Sequence, residues 1–286
     1  SSKIHSFINE HGETVNDEVI GVSHDAHCHV VEDKTLVDEI RAEWELTIPK
    51  ILNPMHYTMG KLKDDRRMKK KQQVTNILAW VNKLLPKQAS RRISKKRKIS
   101  DTNFAAVDFC CGSGHVGLAL AALRPDVTVI FIDCNPISIS LAQSRAAESG
   151  IKNVQFLTMD IRDFEVSDHP GIKVGFALHA CGPATDYALQ KCLQAGASYV
   201  FAPCCVGFIQ NESEYSRRLP CSTFFREKCK IKRDEFLVLA RYADHTSVAS
   251  EEGNQAMLLV NEDRNCLAKE HGYKTSHTRM QPLTCT

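Results

Sequence analysis

A glycine-rich stretch in the middle of the chain has the residue types and spacing of a cofactor-binding loop. It reads VDFCCGSGHVG over residues 107–117, and Gly112, Gly114 and Gly117 fit the dinucleotide fingerprint G-x-G-x-x-G. Glycines let a ligand come close to the backbone, because no Cβ stands in the way. The fingerprint alone fits a nicotinamide dinucleotide as well as S-adenosyl-L-methionine (SAM).

Three acidic residues accompany this loop at the ends of successive strand-like runs. Asp133 follows Gly114 by nineteen positions, where a carboxylate can accept both ribose hydroxyls of either cofactor. Asp108 stands four residues before Gly112 and would repel a pyrophosphate, but it suits the sulfonium and ammonium of SAM. Asp160 can accept a hydrogen bond from the adenine amino group. These acids favour SAM over a nicotinamide cofactor and over no ligand.

The acceptor of a transferred group is expected outside the end of the fourth strand-like run. His179 follows that run and is the best-placed general base, because its ordinary pKa of ~6.5 suits proton abstraction near neutrality. The alternative is a histidine that is hydrogen-bonded to backbone at a strand end. Cys204, after the fifth run, could attack a pyrimidine C6, bind a soft metal or fill apolar space.

Four further cysteines should crowd the same edge of the sheet as Cys204: Cys110, Cys111, Cys181 and Cys205. No C-x₂-C spacing accompanies them, so we predict no metal site. The tract His24–His29 resembles a metal-binding tract in composition only, and we interpret it as incidental.

The elements that must position these residues alternate from residue 104 onward. Short apolar runs alternate with helical patterns, which predicts an α/β fold with a doubly wound, mostly parallel sheet of strand order 3-2-1-4-5. The five runs are FAAVDFC, VTVIFID, NVQFLTM, KVGFALH and ASYVFAP. An amphipathic helix over 64–85, ended by Pro86, and one near Leu36–Leu46 form an N-terminal helical extension. We also expect a long loop over 207–232, helices over Glu235–Asp244 and Asn254–His271, and a strand over Tyr273–Met280.

The charge of the chain is concentrated in one segment. Lys61–Lys98 contains fifteen Lys or Arg and two Asp or Glu, although the net charge of the 286 residues is only +3. This basic segment indicates RNA as a possible partner, and Lys95–Lys98 resembles a nuclear-import run. The alternative is a solvated helix face followed by a flexible linker.

Composition narrows the class of protein. Apolar residues make up 43% and charged residues 25% of the chain, which excludes a wholly disordered or collagen-like protein. No apolar run reaches ~18 residues, so we expect no membrane-spanning segment. Twelve unevenly spaced cysteines without a signal peptide indicate a reduced, cytoplasmic protein. Because the chain does not begin with Met, we expect either a fragment or a remnant of an expression vector.

The stretch VDFCCGSGHVG resembles motif I of the class I SAM-dependent methyltransferases. From about Ile51 to the end, the chain is similar to the methyltransferase-like domain of the glutathione S-transferase C-terminal domain-containing protein family. The similar stretches are KKKQQVTNILAWV, VDFCCGSGHVGLALA, ALHACGPATDYAL, APCCVGFIQ, LARYADHT and EHGYKT. This resemblance implies SAM as cofactor and assigns Asp108, Gly112, Gly114, Asp133 and Asp160 to its site. Cys110 replaces the first glycine of the motif and would lie against the methionine part of SAM.

These observations predict four regions: an acidic, weakly structured segment (1–50), a basic amphipathic helix region (51–86), a basic linker (87–103) and a SAM-dependent methyltransferase-like domain (104–286). The leading functional hypothesis is a methyltransferase acting on RNA, with the acceptor outside strands four and five. A protein acceptor, a catalytically weak or inactive interaction module, and a nicotinamide oxidoreductase are the alternatives.

Overall fold

A computed structural model describes residues 34–56, 63–87, 104–206, 209, 218–244, 251–278, 280 and 282. The tract 24–29 and most of the predicted basic linker, including Lys95–Lys98, lie outside them. The chain divides into two compact units. We call them the sheet unit, with the described residues of 33–180, 187–202 and beyond 279, and the helical unit, with those of 181–186 and 203–279.

The sheet unit contains five parallel strands in the order β3-β2-β1-β4-β5, which confirms the predicted fold class. Both faces of the central strand are buried along its whole length, as parallel sheets with helices on either side require. The strands are β1 (Ala105–Phe109), β2 (Thr128–Asp133), β3 (Val154–Thr158), β4 (Ile172–Leu178) and β5 (Ser198–Ala202).

Three helices connect the strands: α3 (His115–Leu123), α4 (Pro136–Glu148) and α5 (Ala184–Ala195). Gly117 lies in the first part of α3, where the helix packs closely against the sheet. A Cβ at this position would come within 2.4 Å of the Phe131 ring and 2.8 Å of an Asp108 carboxyl oxygen. Glycine is therefore required here by close packing against β1 and β2.

Two helices precede the sheet in the chain, α1 (Lys34–Leu46) and α2 (Asp64–Leu84). The apolar face of α2 packs on α1 and on the β4–β5 side of the sheet, and Leu78 is fully buried. Burial of one such side chain contributes roughly 1.5–3 kcal/mol. Trp44 Nε1 donates to Thr75 Oγ1 at 2.8 Å. The predicted helical extension is thus part of the sheet unit's core.

The helical unit contains a π-helical turn (Phe224–Lys228), α6 (Arg233–Ala243) and α7 (Glu251–Glu270). The turn corrects the prediction of an uninterrupted loop over 207–232, because Asp263 on α7 accepts hydrogen bonds from the Cys221 and Ser222 amides and fixes the chain before the turn. Arg264, also on α7, forms a buried ion pair with Asp186 in the first turn of α5 (Nη2–Oδ2 2.7 Å).

The predicted strand over Tyr273–Met280 is wrong, since residues 273–278 have no strand structure. His277 Nε2 instead lies 2.7 Å from Glu262 Oε2 on α7. The segment is therefore held by side-chain contacts to a helix and not by a backbone ladder. No helix among the described residues is long and apolar enough to cross a membrane.

Candidate functional site

The loop between β1 and α3 turns sharply through left-handed backbone conformations. Gly112 and Gly114 have φ values of +54° and +74°, and Cys110 has +53°. A Cβ at Gly114 would lie 3.1 Å from the Ala142 Cβ, whereas no atom lies within 4 Å of the corresponding position at Gly112. The loop is thus packed against α4 on one side and open at Gly112, as close approach of a ligand requires.

Asp133, at the end of β2, is hydrogen-bonded to this loop. Its Oδ2 accepts from the Gly112 amide at 2.8 Å, and its Oδ1 accepts from the Asn135 amide at 2.9 Å. Each carboxylate oxygen accepts more than one hydrogen bond, so Asp133 can also accept from the hydroxyls of a ribose. The accepting oxygens of Asp133 and the open side of Gly112 fit the adenosine part of SAM.

Asp108 occupies a different environment, although it is on the neighbouring strand. Its side chain is 2% exposed, and Oδ2 accepts from the Gly117 amide at 2.9 Å. Burial raises the pKa of this carboxyl to about 8, against opposing effects of the Gly117 amide and Lys70. Near neutral pH Asp108 is therefore mostly protonated, and it joins β1 to α3. Its predicted contact with the charged end of SAM stays a prediction.

Asp160 follows β3 and begins the short 3₁₀ turn Ile161–Asp163. It accepts two side-chain hydrogen bonds from Arg162, from Nε at 3.0 Å and from Nη2 at 2.9 Å. Arg162 holds the pKa of this carboxyl below its ordinary value. Asp160 is thus an ionised acceptor, as recognition of an adenine amino group requires, and Arg162 is the partner that the sequence pattern did not reveal.

Cys110 and Cys111 are thiols and not thiolates. Burial, with a smaller effect of Asp133, raises the pKa of Cys110 to about 12. Burial also raises the pKa of Cys111 above its ordinary value. Cys110 is half-buried at the position of the motif's first glycine, and its positive φ costs roughly 1–2 kcal/mol for a residue with a Cβ. It is a neutral side chain in a strained loop.

His179 directly follows β4 and also has a positive φ, of +70°. Its amide donates to the Ala202 carbonyl at 3.0 Å, and its Nε2 lies 3.2 Å from Gln73 Oε1 on α2. Cys110 and His179 therefore place strained backbone after two adjacent strands, an arrangement that is common at functional sites. The His179 amide thus makes a backbone hydrogen bond at the strand end, and its imidazole is hydrogen-bonded to a side chain.

Gln73 also lines a cleft beside α2, which we call the basic cleft. Its volume is about 250 Å³, and its lining is strongly cationic. The lining residues are Pro54, Arg66, Arg67, Lys69, Lys70, Gln73 and His115. Burial lowers the pKa of His115 to about 3, so this residue is neutral. Its buried Nδ1 has no hydrogen-bond partner among the described residues, as expected for an atom that a bound ligand would satisfy.

Another cationic side chain, outside the lining of the basic cleft, lies near the start of α3. Arg145 on α4 donates from Nη1 to the Ser113 carbonyl inside the glycine loop. Burial lowers the pKa of its guanidinium to about 10, which leaves it charged at neutral pH. Sequence reasoning missed Gln73, His115 and Arg145, because a single sequence does not show which helix faces meet the loop.

Cys204 belongs to a cluster of thiols in the helical unit. Its Sγ lies 3.2 Å from Cys181 Sγ and 3.9 Å from Cys205 Sγ. The structure thus gathers three of the five cysteines predicted to share one edge. Cys110 and Cys111 belong to the sheet unit.

Comparison with known proteins places these features in one family. A family model described as a methyltransferase domain matches residues 69–212, about half of the chain. The chain is 35% identical over 249 residues to the glutathione S-transferase C-terminal domain-containing protein of Bos taurus, covering 85% of this chain and 35% of that protein. The homolog from Drosophila melanogaster is 34% identical over 244 residues (82% and 38%). The chain therefore spans little more than a third of the length of these relatives.

Two of the solved structures that resemble the chain are methyltransferases. The SAH-bound methyltransferase from Podospora anserina covers 84% of this chain and 89% of its own, at 11% identity and a TM-score of 0.42. A SAM-dependent O-methyltransferase from Thermotoga maritima covers 60% and 57%, at 16% identity and a TM-score of 0.39. The match to a methyltransferase-domain family model agrees with SAM, the predicted cofactor, and the contacts of individual residues with it stay predictions. With its five-stranded parallel sheet, glycine loop and matching family model, the chain belongs to the methyltransferase-domain family.

Proposed function

We propose that the chain is an active SAM-dependent methyltransferase whose acceptor is RNA. The observation that supports this most is the connection between the basic cleft and His179. Gln73 lines the cleft and also contacts the imidazole at 3.2 Å. A polyanion held in the cleft would therefore lie beside the residue best suited to remove a proton from an acceptor.

The charges of the cleft favour phosphates over an uncharged ligand. Arg66 and Lys69 are exposed on α2, one turn of the helix apart, and none of the described residues that line the cleft is acidic. Lys and Arg side chains that neutralise backbone phosphates supply most of the non-specific affinity for nucleic acids. The basic helix is thus interpreted as an RNA contact and not merely as a solvated face.

His179 would act as the general base in this proposal. Gln73 Oε1 is a hydrogen-bond acceptor, which favours the tautomer that carries the proton on His179 Nε2 and makes Nδ1 the basic nitrogen. Asp133 would hold the ribose and orient the glycine loop. When bound, SAM supplies an electrophilic methyl group on a sulfonium. His179 Nδ1 would accept the proton that the acceptor loses, and positioning of the two substrates supplies the rest of the rate.

A protein acceptor is the second candidate, and a short similarity favours it. The chain is 43% identical over 54 residues, 19% of its length, to the release factor glutamine methyltransferase of Escherichia coli. The third candidate is an interaction module with weak or no transfer activity, which Cys110 in the motif supports. One experiment distinguishes these two candidates from each other and from an RNA acceptor.

That experiment incubates the purified chain with methyl-labelled SAM and either total cellular RNA or total protein. We expect label in the RNA pool. Label confined to protein would support the second candidate. SAM binding by calorimetry without transfer to either pool would support the third.

The basic cleft is tested with Arg66→Ala combined with Lys69→Ala. If each loses one phosphate contact, the slope of log affinity against log salt should fall by roughly 0.7 per contact on single-stranded RNA. Lys152→Ala, an exposed lysine before β3 at the other end of the strands, is the matched control and should keep the slope. An unchanged slope in the double variant would contradict the role of the cleft.

A further inference from the structure

The three cysteines of the helical unit form a cluster whose geometry is that of a metal site. Cys181 follows β4 by three residues, and Cys204 and Cys205 lie just after β5. The Gly182 amide donates to the Cys205 carbonyl at 3.0 Å. That hydrogen bond holds the two segments together. All three Sγ atoms consequently lie within 4.8 Å of one another.

These sulfur–sulfur separations match those of a tetrahedral thiolate site. Zinc binds sulfur at ~2.3 Å, which places two sulfurs of one tetrahedron ~3.8 Å apart. In the structure the separations are 3.2 Å for Cys181–Cys204 and 3.9 Å for Cys204–Cys205. Shifts of less than about 1 Å therefore bring all three sulfurs to bonding distance of one ion.

Packing does not account for the cluster. Cysteines that fill apolar space in this chain are fully buried, as Cys192 and Cys229 are. Cys204 is exposed and Cys205 is half-buried, so neither fills the interior. The chain nevertheless brings both to within contact of Cys181, which requires two separate loops to meet.

The surroundings of the cluster suit a cation. Asp244 Oδ1 accepts from the Val206 amide at 2.5 Å, directly after Cys205, and its negative charge acts on that thiol. This carboxylate adds negative charge next to Cys205, which favours a bound cation.

We propose that Cys181, Cys204 and Cys205 bind one zinc ion through three thiolates, with the fourth coordination position open to water or a small ligand. Each thiol releases its proton to solvent as its sulfur bonds to zinc, so three protons leave for each ion bound and no electrons are transferred. Zinc suits three sulfur ligands with an open fourth position. The site does not depend on the identity of the methyl acceptor.

Metal analysis of the full chain tests the site. The wild type, purified without chelator after growth with zinc, should contain about one zinc per chain. Cys181→Ser, Cys204→Ser and Cys205→Ser should each lose the ion. Cys134→Ser, which changes an exposed cysteine of the sheet unit, should retain it. Substitution of cobalt should give sulfur-to-cobalt charge-transfer absorption in the wild type and the control but in none of the three variants.

A measurement on the unmutated chain covers the case in which a serine variant fails to fold. Zinc added to metal-free wild type in weak buffer should release about three protons per ion below pH 7. Zinc content that survives all three serine substitutions would overturn the proposal, and so would a different thiophilic metal in place of zinc. A metal-free wild type that releases no protons on zinc addition, or that carries a Cys181–Cys204 disulfide, would also overturn it.

Discussion

The two sides of the sheet unit's site are built in different ways. On the cofactor side, the carboxyl of Asp108 is bonded to the Gly117 amide at the start of α3, nine residues away, and that of Asp133 to the Gly112 amide of the glycine loop, twenty-one residues away. On the acceptor side, His179 is bonded to Gln73, 106 residues away on a helix that precedes the sheet. The first side is made by one βαβ unit, and the second needs the α2 helix.

This difference determines what each side can tolerate. The cofactor side is a property of local sequence, and any chain with the loop and the acids approximates it. In the proposed function, the acceptor side needs α2 docked on β4 and β5, so we expect changes in α2 to alter the choice of acceptor while cofactor binding is kept. Single substitutions on each side test whether cofactor binding and methyl transfer can be changed independently.

The largest effect is expected on the acceptor side. His179→Ala should slow methyl transfer by about 10²–10⁴-fold, the usual contribution of a positioned general base, and should leave SAM affinity nearly unchanged. Gln73→Leu should slow it less, because the base remains but its ring is no longer oriented. Single-turnover transfer and SAM calorimetry measure the two quantities. His271→Ala, at an exposed histidine after α7, should match the wild type. Full activity of His179→Ala would mean that the acceptor side is elsewhere.

Asp133→Ala should have the next largest effect, on the cofactor side. Loss of a charged acceptor costs about 1.5–3 kcal/mol, which corresponds to a SAM affinity lower by about 10-fold to 150-fold. Calorimetric titration with SAM measures the change, and circular dichroism checks that the fold is kept. Asp168→Ala, at an exposed acid outside the strands, is the control. Wild-type SAM affinity in Asp133→Ala would remove the assignment of Asp133 to the ribose.

The effect of Asp108→Asn on stability should depend on pH, because the substitution removes a buried carboxyl that titrates. The pKa of Asp108 is about 8 in the folded chain and ~3.9 when unfolded. Between these values the unfolded state releases the proton first, so this residue lowers stability as pH rises from about 4 to about 8. The melting temperature of Asp108→Asn minus that of the wild type should increase across that pH range and level off above it. An advantage independent of pH would contradict the raised pKa.

The smallest effect is expected from Cys110→Gly. Relief of the left-handed strain is worth roughly 1–2 kcal/mol, and the greater freedom of glycine in the unfolded chain offsets about 0.4–1 kcal/mol of it. Denaturant unfolding should therefore show a slight stabilisation, and SAM should bind at least as tightly. Cys134→Gly, outside the strained loop, should be slightly destabilising. A clear loss of SAM affinity in Cys110→Gly would indicate that the thiol itself contacts the cofactor.

The sequence was sufficient to predict the sheet and to place Asp108 and Asp133 beside the glycine loop, because buried strands and strand-end acids are local patterns. Strand order, the loop and the helices over α2, α6 and α7 could all be predicted in this way. Gln73 and Arg145 could not, since nothing in a single sequence shows which helix residue meets a strand end. The failed strand after Tyr273 has the same cause: the Glu262–His277 contact is a long-range pairing of side chains.

The buried pair Arg264–Asp186 has a consequence for shortened forms of the protein. Arg264 lies near the end of the described chain, yet its guanidinium also donates to the Gly182 carbonyl at 3.4 Å, next to Cys181. A protease product that ends before α7 would lack Arg264, so the Asp186 carboxylate would lose its ion-pair partner and the Gly182 carbonyl would lose a donor. We expect such a product to hold this segment less firmly, so cleavage before residue 251 would also loosen the part of the chain that carries Cys181.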